Sequence, residues 1–436
     1  MTASASAAAT TAAATGQEAL LETARRVLPG GSFGNLAGDV VLARGAGGHV
    51  WDEDGREYID YLLGSGPMLL GHAHPEVTAA AQAQIPLGTT FFGNNRRGIL
   101  LAEAIVDAVP CAEQVRFLSS GTEADLYAMR LARAFRGREK ILKFEGGYHG
   151  MSDYALMSLA PKRPGNSARP IPDSPGIPAS VVEEVIVAPF NDLAAATALI
   201  ERHAEELGGV IVEPFQRLIP PIPGFLQGLR DVTARLGIPL IFDEVVTGFR
   251  FAYGGAQEYY GVTPDLCTLG KICGGGFPLA AIAGRAEIMA LFDRATAGED
   301  RFLPQIGTLS GNPVAAAAGL ATLAVLRRPG SYDALFATGR QLMASLSEEI
   351  QRAGFAAQIL GEPPLFDVVF AAEPVVDYRG TLNADAALMK RFNTLLRQRG
   401  ILKGDSKYYV SCAHDADDIA ATREIWASAL KALKAG

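Results

Sequence analysis

No stretch of this 436-residue sequence stays apolar for the roughly 18 residues that a membrane span needs. Nor is there a Lys/Arg-rich run, and the net charge is -8. Both argue against a membrane or nucleic acid as the main partner. Cysteine is scarce: Cys111, Cys267, Cys273 and Cys412 are scattered, with no CxxC spacing. That argues against a disulfide framework and a zinc site, and it fits free thiols in a reducing compartment, so a cytoplasmic location is expected. Of the six histidines, His72 and His74 stand two apart in "GHAHPE" with no acidic ligand suitably placed. A structural turn explains them, and no metal is expected. Three nucleotide and hydrolase signatures are also missing. There is no phosphate-loop motif, since Ile272 follows Lys271, no strand-linked G-x-G-x-x-G and no G-x-S-x-G elbow.

Half the residues, 49%, are apolar and 20% are charged, the balance of a globular chain. The length predicts two or three lobes. Residues 1–16, "MTASASAAATTAAATG", are low-complexity and lack the basic and leucine-rich regions of a secretory signal. They read as a disordered tail. "VWDEDGREYIDY" reads as a hairpin turning at Asp54-Gly55, and "HAHPEVTAAAQAQI" as a helix from Pro75. From "QVRFLSS" to "DLCTLGK" short apolar runs alternate with helical segments, the pattern of βαβ units in a mostly parallel sheet. This large lobe is placed at residues 85–321. Residues 322–436 form a smaller lobe, which the N-terminal segment 17–84 joins.

Ligands of open parallel sheets bind beyond the carboxyl ends of the strands. Five features fall there. "FLSSGTEA" offers Ser120, Gly121 and Thr122 at a helix start, suited to a phosphate. The same residues also read as an ordinary cap, with Thr122 as cap and Asp125 as its acidic partner. "FEGGYHG" offers Tyr148 to stack on a planar ring, beside His149, or simply a loop with two packed rings. "IVEPF" and "PLIFDEV" put Glu213 and Asp243 at the ends of buried strands, where an acid is rare unless paired. A ring nitrogen that must stay protonated needs such a carboxylate. The fifth is Lys271, alone in the apolar, glycine-rich "TLGKICGGGFPLAA". A desolvated lysine amine is a nucleophile able to form a Schiff base; otherwise the side chain snorkels to solvent.

Pyridoxal 5'-phosphate catalysis uses all five pieces, and the sequence resembles the class III aminotransferases. Within them it looks most like the glutamate-1-semialdehyde 2,1-aminomutase branch. The resemblance is carried by "VWDEDGREYIDY", "GPMLLGHAHPEV", "SSGTEADLYAMRLARAFRGREKILKFEGGYHG", "IFDEVVTGFR", "LGKICGGGFPLAAIAG" and "GTLSGNPVAAAAG". It implies an α/β chain of the PLP-dependent transferase fold type I, with a mostly parallel seven-stranded large lobe and a smaller α/β lobe. Lys271 would carry the Schiff base and shuttle the proton, and Asp243 would pair with the pyridinium nitrogen. Val245 and Tyr148 would flank the ring. Ser120, Gly121 and Thr122 would hold the phosphate, with Thr308 reaching it from the other subunit of a homodimer. Glu213 and His149 would stand behind.

The chain departs from the aminomutases where they bind substrate. After "PGG", Ala37 stands where they carry a carboxylate-binding arginine. The stretch after "VEP" is shorter, which brings in Gln216 and Arg217, and "FFGNNRRGILLAE" offers Arg96 and Arg97. Any of the three arginines is a candidate carboxylate receptor, or else a solvent or interface side chain. The expectation is therefore an aminotransferase acting on an amine or amino acid and an oxo acceptor. Glutamate-1-semialdehyde aminomutase is the alternative, and a racemase or lyase on the same fold comes after it.

Overall fold

The computed structural model describes residues 16–36, 38–165 and 169–435. The tail expected over residues 1–16 (Gly16 apart) and Ala37 lie outside the described residues. Three strands form first: β1 Leu42–Ala46, β2 His49–Asp52 and β3 Glu57–Asp60. β2 and β3 are the hairpin expected around Asp54-Gly55, with Gly55 at φ 84°, a value that a β-carbon disfavours. Seven more follow: β4 Gln114–Leu118, β5 Lys140–Phe144, β6 Val185–Ala188, β7 Leu207–Val212, β8 Leu240–Glu244, β9 Leu266–Leu269 and β10 Ala280–Gly284. They make one sheet in the order β4-β10-β9-β8-β7-β5-β6. All are parallel except β10, which runs antiparallel to both neighbours.

β7 and β8 are buried along their whole length, as expected when helices cover both faces. Of these seven, the strand that the sequence pattern does not mark is β10. Its "AAIAG" is poor in β-branched residues, and it pairs only because small side chains fit between β4 and β9. A β-carbon at Gly284 would stand 2.4 Å from Leu266 Cδ2.

Four short strands complete the chain: β11 Gln358–Glu362, β12 Leu365–Val369, β13 Ile401–Leu402 and β14 Tyr408–Tyr409. β13 lies parallel to β3, so the N-terminal strands share a sheet with the C-terminal region. Among the described residues no helix is long and apolar enough to cross a membrane. None of them form a metal-binding cluster of His, Cys, Asp and Glu.

In this C-terminal region Lys403 Nζ lies 2.8 Å from Asp367 Oδ2, with both side chains buried. Lys403 also donates to Asn393 Oδ1 and the Gly404 carbonyl. Burial pushes the Asp367 carboxyl up, and Lys403 opposes the shift. Lys403→Met would strand a buried carboxyl, an expected loss of about 3–5 kcal/mol. Denaturant unfolding of the variant measures it, and an unchanged midpoint would show that the pair is dispensable.

Candidate active site

The site lies where neighbouring strands end. Asp243 is the penultimate residue of β8, and its Cα partner on β9 is Thr268, three residues before Lys271. Glu213 follows β7 directly, and the loop of Glu145–His149 follows β5. Four adjacent strands thus bring together side chains far apart in sequence.

Asp243 is enclosed. Its Oδ2 lies 2.8 Å from His149 Nδ1, and both side chains are buried. Its Oδ1 accepts from the Val245 amide at 3.1 Å and faces the Thr268 hydroxyl at 3.4 Å. That hydroxyl donates at 2.6 Å to Asp125, a second buried carboxyl. Burial first, and then the neighbouring Asp243, hold Asp125 well above the usual carboxylate range, despite the bond from Thr268. The Glu213 carboxyl is also raised, by burial and by Asp243, while Arg217 works against the shift. Glu213 Oε2 accepts from the Tyr148 amide at 2.8 Å, which fixes the ring loop to β7.

Lys271 opens a short 3-10 turn, Lys271–Gly274, and adopts φ 52°. A non-glycine residue in the left-handed region is strained and is held there by its surroundings. The helix Pro313–Leu326 presses on the turn: a β-carbon at Gly319 would lie 2.1 Å from the Cys273 carbonyl oxygen. At Gly275 (φ 60°) one would lie 2.7 Å from Ala318 backbone. Gly275 on the turn and Gly319 on the helix are therefore what let the helix clamp the turn. The Lys271 amine is partly exposed and has no hydrogen-bond or ion-pair partner among the described residues.

The helix Gly121–Arg136 starts beside this cluster. Its cap differs from the Thr122–Asp125 pairing that sequence allowed. Ser120 is the cap, with its oxygen accepting from the Glu123 amide, and Glu123 Oε2 accepts from the Ser119 and Ser120 amides. Three residues separate Ser120 from Glu123, the spacing of a closed capping box. Asp125 is thereby freed to point inward to Thr268. The amides of Gly121 and Thr122, at the first helical positions, keep no intrahelical acceptor. A β-carbon at Gly121 would approach Val245 Cγ1 to 3.0 Å, and one at Gly150 (φ 79°) would lie 2.5 Å from Thr122 Oγ1. Both glycines keep a cradle open between helix start, Val245 and the His149 loop.

Of the substrate-side candidates, Gln216 is buried, with its amide donating to the Glu145 carbonyl at 2.8 Å. Arg217 is exposed, at φ 62°, with its guanidinium 5.3 Å from the Tyr148 ring centre. Arg96 and Arg97 begin the helix Arg96–Ala108, next to exposed Phe91 and Phe92. Thr308 sits in an exposed turn. No hydrogen bond links these three to the Asp243 cluster among the described residues.

Sequence reasoning missed several residues. Asp125 and Thr268 were read as cap and strand. Lys143, in the apolar "KILKF", is buried and donates to the carbonyls of Gly147, Ala155 and Met157 at 2.7–3.1 Å, tying down the loop that carries Tyr148. Burial pushes its amine down to about 7, against the pull of Glu213 and Asp173. A lysine inside an apolar strand was the available signal. Lys407, Tyr409 and Arg250 had none, because chain reversal through the small lobe brings the first two in. Burial by itself would raise Tyr409, but Lys407, Lys271 and Arg250, with a bond to Ser65, bring its phenol down to about 8.

A phenol at about 8 when folded and 10 when unfolded binds its proton less tightly in the folded chain. Its stabilising contribution is complete above pH 10 and is lost as pH falls through 8. In the cofactor-free protein one tyrosinate is expected to titrate near pH 8 by ultraviolet difference absorbance, and Tyr409→Phe should remove it. Persistence of that step in the variant would assign it elsewhere.

A buried carboxylate, an unpartnered lysine and a glycine-lined helix start fit pyridoxal phosphate, and with the seven-stranded sheet they define a fold type I transferase. The aminotransferase class-III family model matches residues 34–406, and the chain belongs to that family, which is dependent on pyridoxal phosphate. The chain is 44% identical over 427 residues to the glutamate-1-semialdehyde 2,1-aminomutase of Methanothermobacter thermautotrophicus, covering 96% of this chain and 99% of that one. An ω-transaminase from Sphaerobacter thermophilus superposes with TM-score 0.91 at 38% identity, over 97% of this chain and 98% of the other. A β-phenylalanine aminotransferase from Variovorax paradoxus does so with TM-score 0.84 at 34% identity, over 94% and 93%.

Proposed function

We propose that the protein transfers an amino group between molecules, from an amine or amino acid donor to an oxo acceptor. What carries the reading is the unpartnered Lys271 amine beside the enclosed Asp243 carboxylate at the ends of adjacent strands. Pyridoxal phosphate bound there supplies an electron sink for the carbon that loses its proton. Lys271 would hold the cofactor covalently, and once the donor's amine has displaced it, the freed Nζ would take the proton from the donor's amine-bearing carbon. Asp243 holds a proton on the ring nitrogen, with His149 orienting it and Glu213 fixing the Tyr148 loop. Val245 and Tyr148 would pack against the ring. Ser120, Gly121 and Thr122 take the phosphate.

Release of the oxo product, in place of its return to a neighbouring carbon, is supported by Ala37, which cannot act as a carboxylate receptor. The 44% identity to an aminomutase favours the second reading, intramolecular transfer. The test is to add amines and amino acids, glutamate-1-semialdehyde among them, to holoenzyme without acceptor. A free oxo product with a bleached cofactor spectrum supports the transaminase. An isomer of the donor with the starting spectrum restored supports the aminomutase instead.

The same reading includes a homodimer. Exposed Leu87, Phe91, Phe92, Ile306 and Leu309 lie together, because Asn312 donates to the Thr89 carbonyl and Asn95 to the Gly311 carbonyl. A second copy covering this face would bury Thr308 and Arg96 near the partner's site. Sedimentation of a monomer-sized species would refute it. Lobe boundaries near residues 85 and 321, and a cytoplasmic location suggested by four free cysteines, belong to the proposal.

A further inference from the structure

The loop that carries Tyr148 is gripped at its first residue, Glu145. This residue follows β5 directly, and its side chain is 4% exposed. Three separate parts of the chain take hold of it. Its amide donates to the carbonyl of Ala188, at the end of β6, at 2.9 Å. Its carbonyl accepts from Gln216 Nε2 at 2.8 Å. Its carboxylate accepts both arms of Arg379, Nε to Oε2 at 2.6 Å and Nη2 to Oε1 at 3.1 Å. Among the described residues that carboxylate has no other charged partner.

Arg379 comes from the C-terminal region, on the short helix Tyr378–Thr381 between β12 and β13. This segment is docked on the strand-end loops at several points. Tyr378 Oη donates to the Pro161 carbonyl at 3.1 Å, and Arg379 Nη2 also donates to the Gly165 carbonyl at 3.0 Å. Asn191 Nδ2 donates to the Val376 carbonyl at 2.8 Å. The Tyr148 loop meets the segment without clearance. Gly146 adopts φ 81°, and a β-carbon there would lie 2.6 Å from Tyr378 Cβ.

From this geometry we propose that Arg379 is a positioning residue for the cofactor ring, acting through Glu145 on the loop that presents Tyr148. A bidentate pair fixes the carboxylate in direction as well as in place. Gly146 and Gly147 separate Glu145 from Tyr148, and their backbone freedom is held in check only if both ends of the loop are tied. Lys143 and Glu213 tie the far end, at the Gly147 carbonyl and the Tyr148 amide. Arg379 ties the near end. Without it a buried carboxylate is left unpaired, must turn toward water and takes the loop with it. The inference rests on the placement of Tyr148 at the cofactor ring proposed above.

The test uses holoenzyme of the wild type, Arg379→Met, Arg379→Lys, Glu145→Gln, Tyr148→Ala and the double variant Arg379→Met with Tyr148→Ala. Two quantities are read: circular dichroism in the visible band of bound pyridoxal phosphate, and the rate of cofactor loss on dilution. Arg379→Met is expected to lose cofactor about tenfold faster than wild type, the low end for charged hydrogen bonds because the guanidinium is partly exposed, and to weaken the visible dichroism. Arg379→Lys, which keeps the charge, should lie between the two. Glu145→Gln breaks the pair from the other side and should match Arg379→Met, and it takes that variant's place if the methionine protein does not fold. The double variant decides between positioning and general stability. Once the Tyr148 ring is gone, Arg379→Met should change the rate by less than about twofold. A full tenfold effect there would make Arg379 structural only and overturn the proposal. Wild-type dichroism and cofactor loss in Arg379→Met would overturn it as well, as would unfolding of both Arg379→Met and Glu145→Gln. Wild-type behaviour of Tyr148→Ala would instead sink the placement of Tyr148 at the ring, and the inference with it.

Discussion

Lys271→Ala is expected to abolish amino transfer while leaving the fold intact. The amine has no partner among the described residues, so its removal strands no described donor or acceptor. The turn is held from outside, by the Pro313–Leu326 helix against Gly275 and Gly319, and not by the lysine side chain. Proton transfer by a placed side chain contributes typically about 10²–10⁴-fold, and loss of covalent attachment adds to that. Turnover should therefore drop at least about a thousandfold, while circular dichroism and the unfolding midpoint stay near wild type. Activity within tenfold of wild type would remove Lys271 from the mechanism.

Asp243→Asn probes the opposite end of the site. The amide keeps the shape but loses the charge that holds a proton on the ring nitrogen, at an expected cost of about 3–4 kcal/mol in the transition state, or roughly two to three orders of magnitude in rate. Folding should suffer less than burial alone suggests. Asp125 sits behind the same Thr268 hydroxyl, and a neutral neighbour removes the charge that helps to raise it. The distinguishing result is a variant that unfolds near wild type yet loses cofactor on dialysis and turns over slowly. An undiminished rate would refute the role, and wholesale unfolding would make Asp243 structural.

Much of the site was legible because its residues lie at the ends of apolar runs. Glu213, Asp243 and Lys271 each lie at or just past the end of a buried strand, and buried acids and amines are rare without a purpose. The turn at Asp54-Gly55 was equally plain, because only a few residues tolerate the backbone it needs. The strand β10 was not, since "AAIAG" carries no strand signal and pairs through the space its neighbours leave. The cap was misplaced by two residues, for "SSGTEAD" holds two acids at plausible spacing and only the packing of Asp125 against Thr268 decides between them.

By itself the sequence determined the alternation of strands and helices, the side chains at the strand ends and the cofactor they suit. These follow from local periodicity and from the cost of burying charge. The tertiary structure alone decided which strands are neighbours, and so that Asp243 lies across from Thr268 and against His149. It also decided that Lys407 and Tyr409, more than 130 residues beyond Lys271, share its surroundings. Charges act through distance in space, and distance between remote segments is set only when the sheet and its covering lobe close around one core.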